Sequence, residues 1–263
     1  MEKLTMLDYV KETPGVLRTN IEQYTALVEP LMKEVQQKEI KRILLVASGS
    51  SHNACYCARS FVEKVSGLEV RIITPYTFTY YENDIKETDL VLVVTQSGLS
   101  TNAIEALEII KKKECKAICL TGNKNSDVKD VADVVIEYGV GEELVGYVTK
   151  GVSSLALFLD LFAIAYSGKT EYLDELKKAA DLNEEMIGKA TSFIQLHYKE
   201  FSSMSWVYSC GAGANYGTAL ESALKMGETI HIPSCCYEIE EYIHGPNLQL
   251  TPQYNVIFFD GND

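Results

Sequence analysis

The sequence predicts an α/β fold: two doubly wound parallel sheets in tandem, each flanked by helices, the second of them incomplete. Short apolar runs without polar alternation read as strands buried on both faces, as in a parallel sheet. Segments of helical period separate them, the arrangement a βαβ crossover needs. The strand-then-helix order then starts afresh near residue 204.

Residues 1–38 read as an N-terminal helical segment. The first module, 39–168, opens with the β-rich run 42–47, after which Ala54, Cys57, Ala58, Phe61, Val62 and Val65 recur at helical spacing until Gly67 supplies a stop. Apolar runs at 70–73, 90–94 and 117–120 are further strands, Thr101 to Lys113 reads helical between two of them, and a fifth short strand is expected at Val134 to Glu137. An apolar helix from Lys150 to Tyr166 and an amphipathic one from Thr170 to Tyr198 follow, and residues 169–203 link the modules. In 204–263 the expected order is a strand at Trp206 to Cys210, a helix over Gly217 to Ile230, a strand at Ile232 to Cys236, a short helix, and a strand at Val256 to Phe259. The first module needs about 130 residues for this pattern and the second has about 60, so the sequence is expected to be a fragment.

Composition narrows the function. An apolar fraction of 46% and a charged fraction of 23% are those of a globular protein. A net charge of −13 works against binding to nucleic acid or anionic membranes, which depends on clustered Lys and Arg. The N-terminus lacks a signal-peptide core, and the longest apolar stretch, Leu155 to Tyr166, contains Asp160 and is shorter than the ~20 residues that span a bilayer, so a cytoplasmic location is expected. The 7 cysteines are odd in number and lack a C-x-x-C, which suits core packing in a reducing compartment. His52, His197, His231 and His244 have no metal-ligand spacing, no G-x-x-x-x-G-K-[ST] occurs, and Gly211 to Gly217 spaces its last glycine one residue too far for G-x-G-x-x-G; neither metal nor cofactor is expected.

Two loops have the chemistry of an anion site. Ser48-Gly49-Ser50-Ser51-His52 follows the first strand and opens a helix, and Thr95-Gln96-Ser97-Gly98-Leu99-Ser100-Thr101 repeats the arrangement after another. At the C-terminal edge of a parallel sheet, backbone N–H groups, helix dipoles and hydroxyls can hold a phosphate without Lys or Arg. The same residues also suit ordinary helix capping and turn formation. Further along, Glu221, Lys225 and Glu228 share one helix face, a spacing equally suited to a surface ion pair and to a catalytic line. Glu241 and His244 stand beside the Gly245-Pro246 turn. Lys225, Glu228 and His244 form a candidate acid–base set for a sugar carbonyl.

The stretch Ala219-Leu220-Glu221-Ser222-Ala223-Leu224-Lys225-Met226-Gly227-Glu228, followed by Glu241 and His244-Gly245-Pro246, resembles the A-L-E-x-A-L-K-x-x-E and E-x-x-H-G-P motifs of the SIS-domain phosphosugar isomerase family. Within that family it looks especially like the isomerase half of glucosamine-6-phosphate synthase and the fructosamine-6-phosphate deglycases, and the resemblance covers nearly the whole chain. The two hydroxyl-rich loops resemble the family's G-[TS]-S-x and S-Q-S-G-E-T sugar-phosphate loops. The resemblance implies tandem SIS modules in which Ser50, Ser51, Thr95, Gln96, Ser97 and Ser100 bind the sugar phosphate, with Glu241 beside them. It implies that Glu228 shuttles a proton between C1 and C2, that Lys225 assists at the C1 oxygen, and that His244 opens the ring from a neighbouring subunit, hence a homodimer. Leu99 departs from the family's Glu, Val148 replaces a serine in the segment Glu143 to Lys150, and the synthase's C-terminal lysine and glutaminase domain have no counterpart. Without that glutaminase, the expected direction is removal of an amine from an aminosugar or ketosamine 6-phosphate. The rivals are a plain aldose–ketose phosphate isomerase and a non-catalytic sugar-phosphate sensor.

Overall fold

A computed structural model describes residues 4–36 and 38–261. Helices α1 (Met6–Glu22) and α2 (Tyr24–Val35) form the N-terminal segment, and α1 starts at a reciprocal capping box between Thr5 and Asp8. Then come β1 (Arg42–Val46), α3 (Gly49–Ser66), β2 (Glu69–Ile73), α4 (Pro75–Tyr80), β3 (Asp89–Thr95), α5 (Thr101–Lys112), β4 (Ile118–Thr121) and β5 (Val134–Glu137). The five strands are all parallel and lie in the order β2-β1-β3-β4-β5. Alternate residues go to opposite faces. Ile43, Leu45, Leu90 and Leu92 pack beneath helices α1–α3, while Leu44, Val46, Val91 and Val93 pack against Phe78 of α4 and Ala106, Leu107 and Ile110 of α5. The inner strands β1, β3 and β4 are therefore apolar along most of their length, which is the signal the sequence carried.

The apolar helix α6 (Lys150–Ser167) belongs to the first of these layers, with Leu155, Phe158, Leu161 and Phe162 buried in the core. The long helical stretch after it is divided. A single 3₁₀ turn at Thr170–Tyr172 precedes α7 (Leu173–Leu196), and a break at His197 separates α7 from α8 (Tyr198–Ser202). Arg18 of α1 is paired with Asp181 and Glu184 of α7, tying that helix to the first unit.

A second, separate parallel sheet contains β6 (Trp206–Gly211), β7 (Ser234–Glu238) and β8 (Tyr254–Phe259) in the order β7-β6-β8. Helix α9 (Ala214–Lys225) ends earlier than the sequence suggests: Met226–Ile230 winds as a wider π turn and His231 closes it with a left-handed backbone, φ 61°. Strand β7 accordingly begins two residues later than expected and runs on to Glu238, before the short helix α10 (Ile239–Ile243). Helix α9 crosses α3 at close range. A Cβ on Gly217 would lie 2.5 Å from the Cys57 backbone nitrogen, so only glycine permits the approach that brings the two sheets' helices together.

Candidate functional site

The strand order places β1 beside β3, and the helices that follow them, α3 and α5, leave for opposite faces of the sheet. Between such strands the loops diverge and open a crevice at the carboxyl edge, where open α/β sheets bind ligands. A cavity of about 920 Å³ lies there, lined by Ser48 to Ser51, Val94 to Ser97, Leu99, Gly122, Asn123, Glu137, Val140 to Gly146 and Val148, and closed on one side by Leu224 and Glu228.

The two hydroxyl loops are distinguished from ordinary caps by what they do not bond. Ser48 and Ser100 occupy the N-cap positions of α3 and α5, yet neither side chain caps its helix. Thr5 and Thr74 do cap α1 and α4. The first backbone N–H groups of α3 and α5 are therefore left for an anion, with both helix dipoles favouring negative charge. Helix α6 is treated differently. The Glu143 carboxylate accepts from the backbone nitrogens of Thr149, Lys150 and Gly151 at 2.9, 2.8 and 3.0 Å, so that N-terminus is already occupied.

Glu143 also accepts the Gln96 side-chain amide at 2.6 Å, and the Tyr138 hydroxyl donates to Gln96 Oε1 at 3.2 Å. Burial pushes the Tyr138 phenol up, keeping it protonated as the donor. Lys150, 1% exposed, donates to the Glu142 carbonyl and pairs with Glu12, and so fixes the far wall. Burial lowers His52, leaving a neutral imidazole in the first loop. Among the described residues lining the cavity there is no Lys, Arg or His; an anion there relies on N–H groups and hydroxyls.

On the α9 side, Lys225 reaches three partners: Glu228 Oε2 at 2.7 Å, Ser50 Oγ at 3.0 Å and Glu221 Oε1 at 3.1 Å. Glu228 lines the cavity with its second oxygen uncommitted, while Lys225 and Glu221 are each 15% exposed and border a second cavity of about 690 Å³. The ion pair between Lys225 and Glu221 is thus an inner feature, bonded across to Ser50 and Asn53 of α3, rather than the surface pair its spacing equally allows.

The structure gathers Ser50, Ser51, Thr95, Gln96, Ser97 and Glu228 on one cavity and holds Lys225 against it. Ser100 sits at the α5 N-cap outside the lining. Glu241 and His244 are exposed, outside both cavities of this chain, and His244 Nδ1 bonds the Glu240 carbonyl at 2.7 Å. Reading the sequence for site residues passes over Tyr138 and Asn53, which act through contacts 42 and 168 residues away, and Glu143, whose bond to Gln96 spans 47 residues.

Residues 38–165 match the SIS domain family. Over 229 residues the chain is 29% identical to the glutamine–fructose-6-phosphate aminotransferase (isomerizing) of Thermotoga maritima, an alignment covering 83% of this chain and 37% of that protein. The chain spans less than half the length of the curated relatives it matches. Among solved structures, a candidate phosphosugar isomerase from Clostridium difficile 630 superposes with a TM-score of 0.88 at 26% identity, over 99% of this chain and 76% of that one. The C-terminal domain of glucosamine-fructose-6-phosphate aminotransferase from Francisella tularensis has the same fold, with a TM-score of 0.83 at 23% identity over 98% of this chain and 76% of that one.

Proposed function

From the premise that the chain carries an SIS domain of the phosphosugar-isomerase kind, we propose that it is an acid–base enzyme acting on an aminosugar or ketosamine 6-phosphate and releasing its amine. The observation that carries this reading is the position of Glu228: one carboxylate oxygen is held at 2.7 Å by Lys225, and the other is uncommitted in a cavity that also holds two uncapped helix N-termini. A phosphate bound by the N–H groups of α3 and α5 with Ser51, Thr95 and Ser97 leaves the sugar chain running towards Glu228, which shuttles a proton between C1 and C2. Lys225 supplies positive charge beside it for the developing C1 oxyanion. The cavity, at about 920 Å³, is at the large end of the ~300–1,000 Å³ typical of small-molecule pockets, which leaves room for a group carried on the sugar nitrogen.

In this reading the second sheet is another SIS module, supported by its β7-β6-β8 order, which repeats the β2-β1-β3 arrangement of the first. The assembly is a homodimer in which His244, with Glu241, serves the cavity of the partner chain and opens the sugar ring. Its exposure and its absence from its own chain's cavity lining favour that role. The location is cytoplasmic.

Amine release from fructoselysine 6-phosphate and glucosamine 6-phosphate, measured alongside Glu228→Gln, tests the proposal. Release by the parent protein that falls at least about 100-fold in the variant is expected, since general-base catalysis typically contributes 10²–10⁴. Sugar interconversion without amine release would mean a plain aldose–ketose isomerase. Binding of the sugar phosphate with no turnover by either protein would mean a sensor.

A further inference from the structure

The geometry points to Glu221 as a positioning residue that fixes which way the Ser50 hydroxyl faces, so that Ser50 offers the substrate a lone pair and not a proton. The inference deepens the acid–base reading and rests on it for the reaction, though its binding half stands alone.

Proton counting on the network forces the direction of each bond. An ammonium has three N–H donors and no acceptor. Lys225 donates to Ser50 Oγ and Glu228 Oε2 at 3.0 and 2.7 Å, stands 3.1 Å from Glu221 Oε1 as an ion pair, and can accept from none of them. Ser50 therefore accepts from Lys225. Its single proton goes to Glu221 Oε1, 2.9 Å away. Glu221 is anchored in turn by the Asn53 side-chain amide, which donates to Oε2 at 2.8 Å from one turn further along α3. The carboxylate thus takes two hydrogen bonds, stands 3.1 Å from the Lys225 ammonium and is 15% exposed, whereas Glu228, at 34%, keeps an oxygen free. The two carboxylates that flank one lysine are not equivalent: one is a fixed hub, the other faces the cavity.

With its proton committed, Ser50 is a poor partner for a phosphate oxygen, which needs a donor. Its remaining lone pair, beside Lys225 and Glu228, suits a substrate O–H or N–H at the reacting end of the sugar. Phosphate then depends on Ser51, Thr95, Ser97 and the helix N–H groups. Ser50 and Asn53 belong to α3 while Glu221 and Lys225 belong to α9, so the hub also sets the position of the lysine relative to the first unit's loop.

Binding of inorganic phosphate, measured by calorimetry, tests the first half without any turnover. Ser50→Ala is expected to change phosphate affinity less than about 2-fold, and Ser97→Ala to weaken it at least about 5-fold. Weakening by Ser50→Ala comparable to that of Ser97→Ala overturns the inference, and so does a parent protein that binds no phosphate. For the second half, Glu221→Gln should lower kcat about 10–100-fold with KM moving less than about 3-fold, Glu221→Asp should recover part of the loss, and Glu221→Gln combined with Ser50→Ala should be no worse than Glu221→Gln alone. Additive losses, or a KM rise that accounts for the whole effect, overturn the positioning role. A parent protein that turns over no sugar phosphate would refute the acid–base reading, and the phosphate contrast would still decide the role of Ser50.

Discussion

Gly151→Ala tests whether the cavity wall is as rigid as its hydrogen bonds suggest. Gly151 lies in the first turn of α6, where alanine is ordinarily favourable to a helix by about 0.5–1 kcal/mol. Here the new Cβ would stand 1.7 Å from Gln96 Oε1 and 2.5 Å from Gln96 Cδ, so the Gln96 amide has to swing away. That breaks its bond to the Glu143 carboxylate, at 2.6 Å, and frees the Tyr138 hydroxyl from its acceptor. A bond to a charged group contributes about 1.5–3 kcal/mol and a neutral one about 1 kcal/mol. Against the helix gain, the net cost is about 2–3 kcal/mol. Urea unfolding followed by circular dichroism reads it as a lower midpoint at unchanged slope. In a Gln96→Ala background the same substitution has nothing to displace, and should be neutral or slightly stabilising. A Gly151→Ala protein as stable as its parent, or a cost that persists without the Gln96 side chain, would refute the reasoning.

Asp89 at the head of β3 accepts two bonds from the Arg42 guanidinium, at 3.0 and 2.7 Å, and one from the Lys86 backbone, with only 1% of its side chain exposed. Burial works to raise its carboxyl, but these donors and the guanidinium charge outweigh it and hold the group below its usual value. Asp89→Asn should cost about 3–5 kcal/mol, because a mostly buried guanidinium loses its counter-charge. A lowered carboxyl stabilises above its unfolded value and loses that as pH falls through the folded one, so the gap between parent and variant should be constant from pH 5 to 7 and close below about pH 4; a gap that widens in acid contradicts the assignment. Asp160 on α6 is the opposite case, its carboxyl raised well above the usual range by burial, with Oδ1 unpartnered. There the unfolded state gives up its proton first, so stability is lost as pH rises above about 4. The melting temperature of Asp160→Asn relative to the parent should therefore climb between pH 4 and 7; a pH-independent difference would show that the carboxyl ionises freely.

Most of the architecture was legible because its signals are local. The strands at 42–47, 70–73, 90–94, 117–120 and 134–137 appear within a residue or so of their expected limits, since a strand covered on both faces must be apolar at successive positions. Gly67 ends α3 in the left-handed conformation that its stop signal implies. The shorter second sheet was less legible. The π turn at Met226–Ile230 depends on how the helix end meets β7, where Ser234 Oγ bonds the Ala223 carbonyl, and nothing in the helical period of 217–230 reveals it.

The candidate site divides along the same line. Composition and spacing were enough to put hydroxyl loops after two strands and three charges on one helix face. Whether Ser48 and Ser100 cap their helices, and whether Lys225 pairs at the surface or inside, were not contained in that spacing. The second depends on the packing of α9 across α3 at Gly217, which brings Ser50 and Asn53 to Glu221 across 168 to 171 residues of chain. Periodicity records which side of an element is buried; only the tertiary structure decides which donor meets which acceptor there, because that pairing is set by the approach of two elements whose sequences carry no record of each other.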